Sequence, residues 1–130
     1  MNYSKSELVK YRLERAKEIY DDAELLAENK RWKSAANRLY YACFHAISAY
    51  LAYLDEKAAT HTSLKSKFNA LMIKTGKINQ EEGKLFNRLF DIRLDADYED
   101  FVNLEEAEIQ PLVKKVKQLI SDIEELLMAQ

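Results

Sequence analysis

The chain has little of what bends, crosslinks or interrupts a polypeptide. Two glycines and one proline among 130 residues leave few tight turns and long elements, which favours an all-helical chain. One cysteine, Cys43, excludes an internal disulfide. The two histidines, His45 and His61, have no His or Cys at ligand spacing, so no metal site is expected. Asp95, Asp97 and Asp100 lack the regular spacing and the glycine of a calcium loop. No glycine-rich phosphate loop and no serine in a nucleophile elbow is present. No apolar run approaches the ~18 residues of a membrane span, and the opening MNYSKSELVK has no apolar signal core. A cytoplasmic protein without a membrane segment or cofactor is the expectation. The net charge of −2 argues against a molecule that binds nucleic acid over its whole surface. The basic residues are dispersed, which gives a helix-turn-helix DNA reader little support.

What is present is helical patterning. The stretch Arg31 to Asp55 has no Gly or Pro. At 100° per residue, its apolar side chains from Trp32 to Leu54 fill an arc roughly 160° wide, which Phe44 extends by about 20°. That is too wide for a surface helix, so this one belongs at the centre of a bundle. Cys43 lies in the arc as a buried thiol. Opposite it, Ser34, Arg38, Tyr41, His45 and Ser48 form an ordered polar stripe about 80° wide.

Around this helix the chain reads as an antiparallel up-and-down bundle of four long helices plus a shorter one, in a single domain over residues 1–130. Ser4 or Ser6 caps a first helix, with Glu7 as capping-box partner to Ser4. Leu8, Tyr11, Arg12, Arg15, Ala16, Ile19, Ala23 and Leu26 carry its 3-4 spacing to about Glu28. The short break at Asn29-Lys30 predicts a hairpin with the central helix. Thr60 caps a third helix that Gly76 ends. Asn79 caps a fourth, with Glu81 and Glu82 in its first turn. Its pattern fades between Asp95 and Asp100. Glu105 opens the last helix, with Pro111 early in it.

Three groups of residues could carry chemistry. His45, with Arg38 and Tyr41 on the same stripe, either pairs with a neighbouring helix or forms part of a ligand site. His61 either serves as a polar helix start or meets an anion beside exposed N–H groups. Arg93 and Asp97 are spaced i, i+4 and can pair, worth a few tenths of a kcal/mol if exposed. Held that way, Arg93 could instead present its guanidinium to a phosphate.

The run Asn37-Arg38-Leu39-Tyr40-Tyr41-Ala42-Cys43-Phe44-His45-Ala46 resembles the second-helix signature of HEPN-domain proteins, in particular the stand-alone group UPF0332. Thr60-His61 is similar to that group's "TH" at the start of helix three. The segment Arg93-Leu94-Asp95-Ala96-Asp97-Tyr98 is similar to its "RxxADY". The resemblance implies a dimeric helical bundle, often paired with a minimal nucleotidyltransferase in toxin–antitoxin couples, and binding of nucleotide or RNA. Many HEPN proteins are metal-independent ribonucleases in which an Arg stabilises phosphorane charge and a His moves the proton of the 2′-hydroxyl. Here Arg93 matches the Arg, but Leu94 replaces the polar residue and Tyr98 stands where the His belongs. A tyrosine with a pKa near 10 is a poor base at neutral pH.

The expected function is therefore a nucleotide- or RNA-binding homodimer, the partner of a nucleotidyltransferase, with a degenerate ribonuclease motif. Arg38, Tyr41, His45, His61, Arg93, Asp97 and Tyr98 are the candidate binding residues. Arg38 and Arg93 would contact phosphate, Tyr41 and Tyr98 a base, and Asp97 would orient Arg93. The resemblance also marks Tyr98 as a candidate for adenylylation by the partner. Two rivals stand beside this reading: a ribonuclease toxin using Arg93 and His45 as catalytic residues, and a structural dimerisation module.

Overall fold

The Ser4 hydroxyl accepts from the Glu7 N–H at 3.1 Å and starts the first helix, α1, Lys5–Glu28. The chain continues through α2, Trp32–Tyr53, and α3, His61–Phe68, which a π-turn prolongs over Asn69–Ile73. Then come α4, Gln80–Tyr98, and α5, Glu106–Met128. The computed structural model of the chain describes residues 3–98 and 103–129, with the backbone alone at 97 and 98. No strand occurs among the described residues, and the architecture is the all-α bundle expected.

With so little glycine, both turns that flank α2 place an ordinary residue in the left-handed region, Lys30 at φ 58° and Asp55 at φ 61°. Each is followed by a backbone bond back to the preceding helix, Arg31 N to Leu26 O at 2.9 Å and Glu56 N to Leu51 O at 2.8 Å. This is the Schellman closure, which satisfies carbonyls that would otherwise be orphaned. The α1–α2 hairpin is antiparallel: Lys5, at the start of α1, reaches the Tyr53 carbonyl and the Asp55 carboxylate beyond the end of α2.

The central position of α2 follows from its sequence. Twelve of its residues are buried. Ala42 and Ala49 widen the arc read from the larger apolar side chains. Their small size lets α1 approach closely, and α4 and α5 cover the other sides. The stripe residues Arg38, Tyr41, His45 and Ser48 are all half-buried.

Helix α1 departs from expectation in its facing. Tyr11, counted with the inward pattern, is 65% exposed, whereas Tyr20 is buried and donates to the Val113 carbonyl of α5 at 3.1 Å. α1 packs on α5 as well as α2, and this rotates its buried arc towards Tyr20 and Ala27. Pro111 is the sixth residue of α5, beyond the first turn, so the Ala107 carbonyl loses its i+4 donor.

Glu82 is buried at the start of α4. Its N–H donates to the Asn79 side-chain oxygen at 2.9 Å, and its Oε1 accepts from the Asn79 amide at 2.8 Å. Oε2 is sealed from solvent and finds no hydrogen-bond partner within the described structure. Burial, together with the neighbouring Asp122 carboxyl of α5, pushes Glu82 up to about 8.

Two outcomes are expected. Lys30→Gly should stabilise the fold by roughly 0.5 kcal/mol in urea melts. Relief of the left-handed strain is worth about 1–2 kcal/mol and the added unfolded-state entropy takes back about 0.5–1. Stability should also fall as pH rises between the ordinary glutamate range and about 8. Over that interval the folded chain keeps a Glu82 proton that the unfolded chain has released. Glu82→Gln should flatten this descent in thermal melts recorded from pH 5 to 9; an unchanged slope would show that Glu82 is ionised in the fold.

Candidate functional site

The polar stripe of α2 is half-buried from Arg38 to Ser48 and walled on two sides. On one side stand α3 and α4. Thr60 and Ser63 cap the start of α3 reciprocally, each side chain accepting the other's backbone N–H at 3.0 Å. This capping box fixes His61 as the first helical residue and aims it at α2. There His61 Nδ1 lies 2.8 Å from the Tyr40 hydroxyl.

Tyr40 belongs to the apolar arc and has no exposed surface. Its ring stacks on Phe86 of α4, centroids 5.5 Å apart and planes within 14°. Burial drives its hydroxyl well above the ordinary tyrosine range, and the Arg93 guanidinium offsets only part of that. Tyr40 is therefore a neutral phenol. A buried hydroxyl needs a hydrogen-bond partner, and His61 Nδ1 at 2.8 Å is the one it meets.

Arg93 of α4 approaches the same rings. Its guanidinium carbon is 5.3 Å from the Tyr40 centroid and 6.0 Å from that of Tyr41. Arg38 lies 5.3 Å from the Tyr41 centroid. Its Nε and Nη2 fork onto the Asn37 side-chain oxygen at 3.2 and 2.8 Å. Two guanidiniums from different helices thus border one half-buried tyrosine ring. Each contact is worth about 0.5–2 kcal/mol and holds a cation in place. His61 completes the patch, 5.8 Å from Tyr41 and 4.9 Å from Phe44 between ring centroids.

His45 faces the other wall. Its ring meets Phe44 at 5.6 Å. Burial, followed by the charges of Arg15, Arg12 and Arg38, lowers its pKa below the usual histidine value. The structure therefore gathers Tyr41, His61 and Arg93 around Tyr40 and sets Arg38 over Tyr41, while His45 lies near α1. The side chains of Asp97 and Tyr98 lie outside the described residues, as does Asp100. No group of three His, Cys, Asp or Glu among the described residues could hold a metal ion.

Tyr40, Arg12 and Arg15 are not among the residues the sequence singles out as candidates. Tyr40 was counted only as core, although a tyrosine in a buried arc must find a partner for its hydroxyl, and that requirement was the available signal. Arg12 was read as part of an amphipathic pattern. Tyr40→Phe should cost about 1 kcal/mol in chemical denaturation and release the His61 ring, read as a change in the Nδ1 nitrogen-15 shift. An unchanged shift would mean that the Tyr40 hydroxyl does not hold the His61 ring.

A family model described as "HEPN domain" matches residues 9–126. A "UPF0332 protein" of Thermotoga maritima is 38% identical over 95% of this chain and 93% of its own length. Two proteins of Methanocaldococcus jannaschii, each named a "Putative toxin", are 29% and 24% identical. The first alignment covers 85% of this chain and 87% of that protein, the second 79% and 70%. With the family model spanning residues 9–126 and a UPF0332 relative 38% identical over 95% of the chain, the chain belongs to the HEPN-domain family.

Proposed function

We propose that this chain is the toxin-side member of a toxin–antitoxin-like pair, a homodimer that binds the phosphate and base of a nucleotide or RNA and acts beside a minimal nucleotidyltransferase. The observation that carries the binding role is the pair of guanidiniums, Arg38 and Arg93, bordering the Tyr41 ring. Guanidinium forks suit phosphate oxygens, and an aromatic face between them suits a base. The two M. jannaschii relatives bear toxin names, which supports the pairing with an antitoxin partner.

A second reading has an observation of its own. His61 and Arg93 both pack on Tyr40, so an Arg–His pair is assembled from α3 and α4 although the segment after Arg93 lacks a histidine. In a metal-independent ribonuclease, Arg93 would hold the scissile phosphate and His61 would exchange the proton.

One experiment addresses both. Fluorescence anisotropy with a labelled RNA pentamer should show Arg38→Gln and Arg93→Gln each weakening binding about tenfold, the range of one charge-assisted hydrogen bond. Wild-type affinity in both variants would overturn the binding role. The same RNA incubated with the chain in EDTA tests cleavage. Cutting that disappears in Arg93→Ala and His61→Ala but survives in His45→Ala would establish the ribonuclease reading. Intact RNA with folded wild-type protein would remove it.

A further inference from the structure

The basic residues of the chain are dispersed except in one stretch. Residues 57–80 carry five lysines and no aspartate or glutamate, leaving 15 basic against 22 acidic residues elsewhere. This stretch runs through α3 and its π-turn to the start of α4. The π-turn closes with the Lys74 N–H donating to the Asn69 carbonyl at 2.9 Å. The Asn69 side-chain amide bridges the Lys65 carbonyl and the Asn87 side-chain oxygen of α4, at 2.9 and 3.3 Å. Gly83 lets α4 approach the π-turn: a β-carbon there would stand 3.1–3.2 Å from three carbons of Ile73. Fixed in this way, α3, the π-turn and the start of α4 border a groove of about 670 Å³.

Thr62, Lys65, Ser66, Asn69, Lys74 and Gln80 are its polar lining, and no carboxylate lines it among the described residues. The lysines of the stretch differ in what engages them. Lys67 donates to the Glu56 carboxylate and the Lys57 carbonyl, and Lys77 to the Tyr50 hydroxyl at 3.3 Å. Lys65 and Lys74 enter no ion pair among the described residues. Lys65 rests on the Phe90 ring of α4, 4.5 Å from its centroid, a contact that keeps the ammonium in place and leaves it donors to spare. The groove also adjoins the site described above. Phe90 meets Tyr40 edge-on at 6.1 Å, and Tyr40 borders Arg93 and His61. His61 and Lys65 stand one turn apart on the same face of α3.

We propose that this groove is a track for the phosphate backbone of a single RNA strand, with Lys65 and Lys74 as its phosphate contacts, and that the strand continues into the Arg38–Arg93 site. The inference rests on the phosphate-binding reading of that site and names an RNA strand, rather than a mononucleotide, as the ligand. Lys65 to Lys74 spans nine residues, roughly 13 Å of helix rise, a separation that a single phosphate cannot bridge and a strand with its repeated charge can. Lysine meets phosphate as a point charge on a flexible stem, and Thr62, Ser66 and Gln80 offer donors that phosphate oxygens accept. The Tyr41 ring between its guanidiniums takes a base where the track ends.

Wild type, Lys65→Gln/Lys74→Gln, Arg93→Gln and a charge control, Lys10→Gln/Lys115→Gln, are titrated with AMP and a labelled single-stranded RNA hexamer between about 50 and 200 mM salt. Lys10 and Lys115 are exposed on α1 and α5. The α3 double variant should bind AMP within about twofold of wild type and lose about tenfold for the hexamer. It should also flatten the slope of log affinity against log salt by about 1.4, the share of two phosphate contacts on a single strand. Lys74→Gln alone, at an exposed side chain, should flatten it by about 0.7, which guards against a folding defect in the double variant. The charge control should bind both probes like wild type. Unchanged hexamer affinity and slope in the α3 variants, equal loss in the charge control, or equal loss for AMP overturns the track. So does displacement of the hexamer by an equal concentration of hexaglutamate, which would make an acidic protein segment the occupant. Arg93→Gln separates the two readings. If it loses AMP while the α3 variant keeps the hexamer, the track fails and the first site stands. If it binds both probes like wild type while the α3 variant loses the hexamer, the Arg93 reading fails and the track on α3 stands. Wild type that does not bind the hexamer overturns the track, and wild type that binds neither probe overturns both.

Discussion

Tyr40 is the contact on which the rest of the arrangement depends. Its ring is the surface on which α2 meets α4, stacked on Phe86 and touched edge-on by Phe90. Its hydroxyl is the point at which α2 holds α3, through His61. Its face also borders Arg93. One side chain therefore contributes core area, a buried hydrogen bond and a cation–π surface. A phenylalanine would supply only the ring contacts, and a smaller residue would leave Phe86, His61 and Arg93 without a common partner.

The electrostatics of the stripe run against the economy of the fold. A half-buried groove normally pairs its cations with carboxylates, since like charges in a medium less polar than water repel strongly. Around His45, burial and the charges of Arg15, Arg12 and Arg38 act in the same direction and lower its pKa. Elsewhere the same bundle solves its charge problems locally: Lys17 pairs with Glu124 across α1 and α5, and Arg88 with Glu108 across α4 and α5.

Membership of the HEPN family places the chain among proteins with a shared helical core, while the chemistry of each depends on the side chains along the open face. In this chain the segment after Arg93 offers no histidine at the expected position. His61 shares the Tyr40 ring with Arg93, so the proximity of an arginine and a histidine is created by packing rather than by spacing along one helix.

Much of this was legible in the sequence because helices are local. The 3-4 spacing, the caps at Ser4, Thr60 and Asn79, and the left-handed turn at Gly76 depend on residues within a few positions of one another. The width of the apolar arc alone placed α2 at the centre. The polar stripe and Arg93 could be named as candidates, since their spacing is a property of single helices. What tertiary structure decided is everything that joins helices. It rotated α1 so that Tyr20 turned in and Tyr11 out, because α1 must satisfy α5 as well as α2. It gave the Tyr40 hydroxyl to His61, and it brought the charges of Arg12 and Arg15 to bear on His45. Periodicity specifies which face of a helix is apolar, but the neighbour to which a polar side chain turns depends on the packing of helices far apart in the chain.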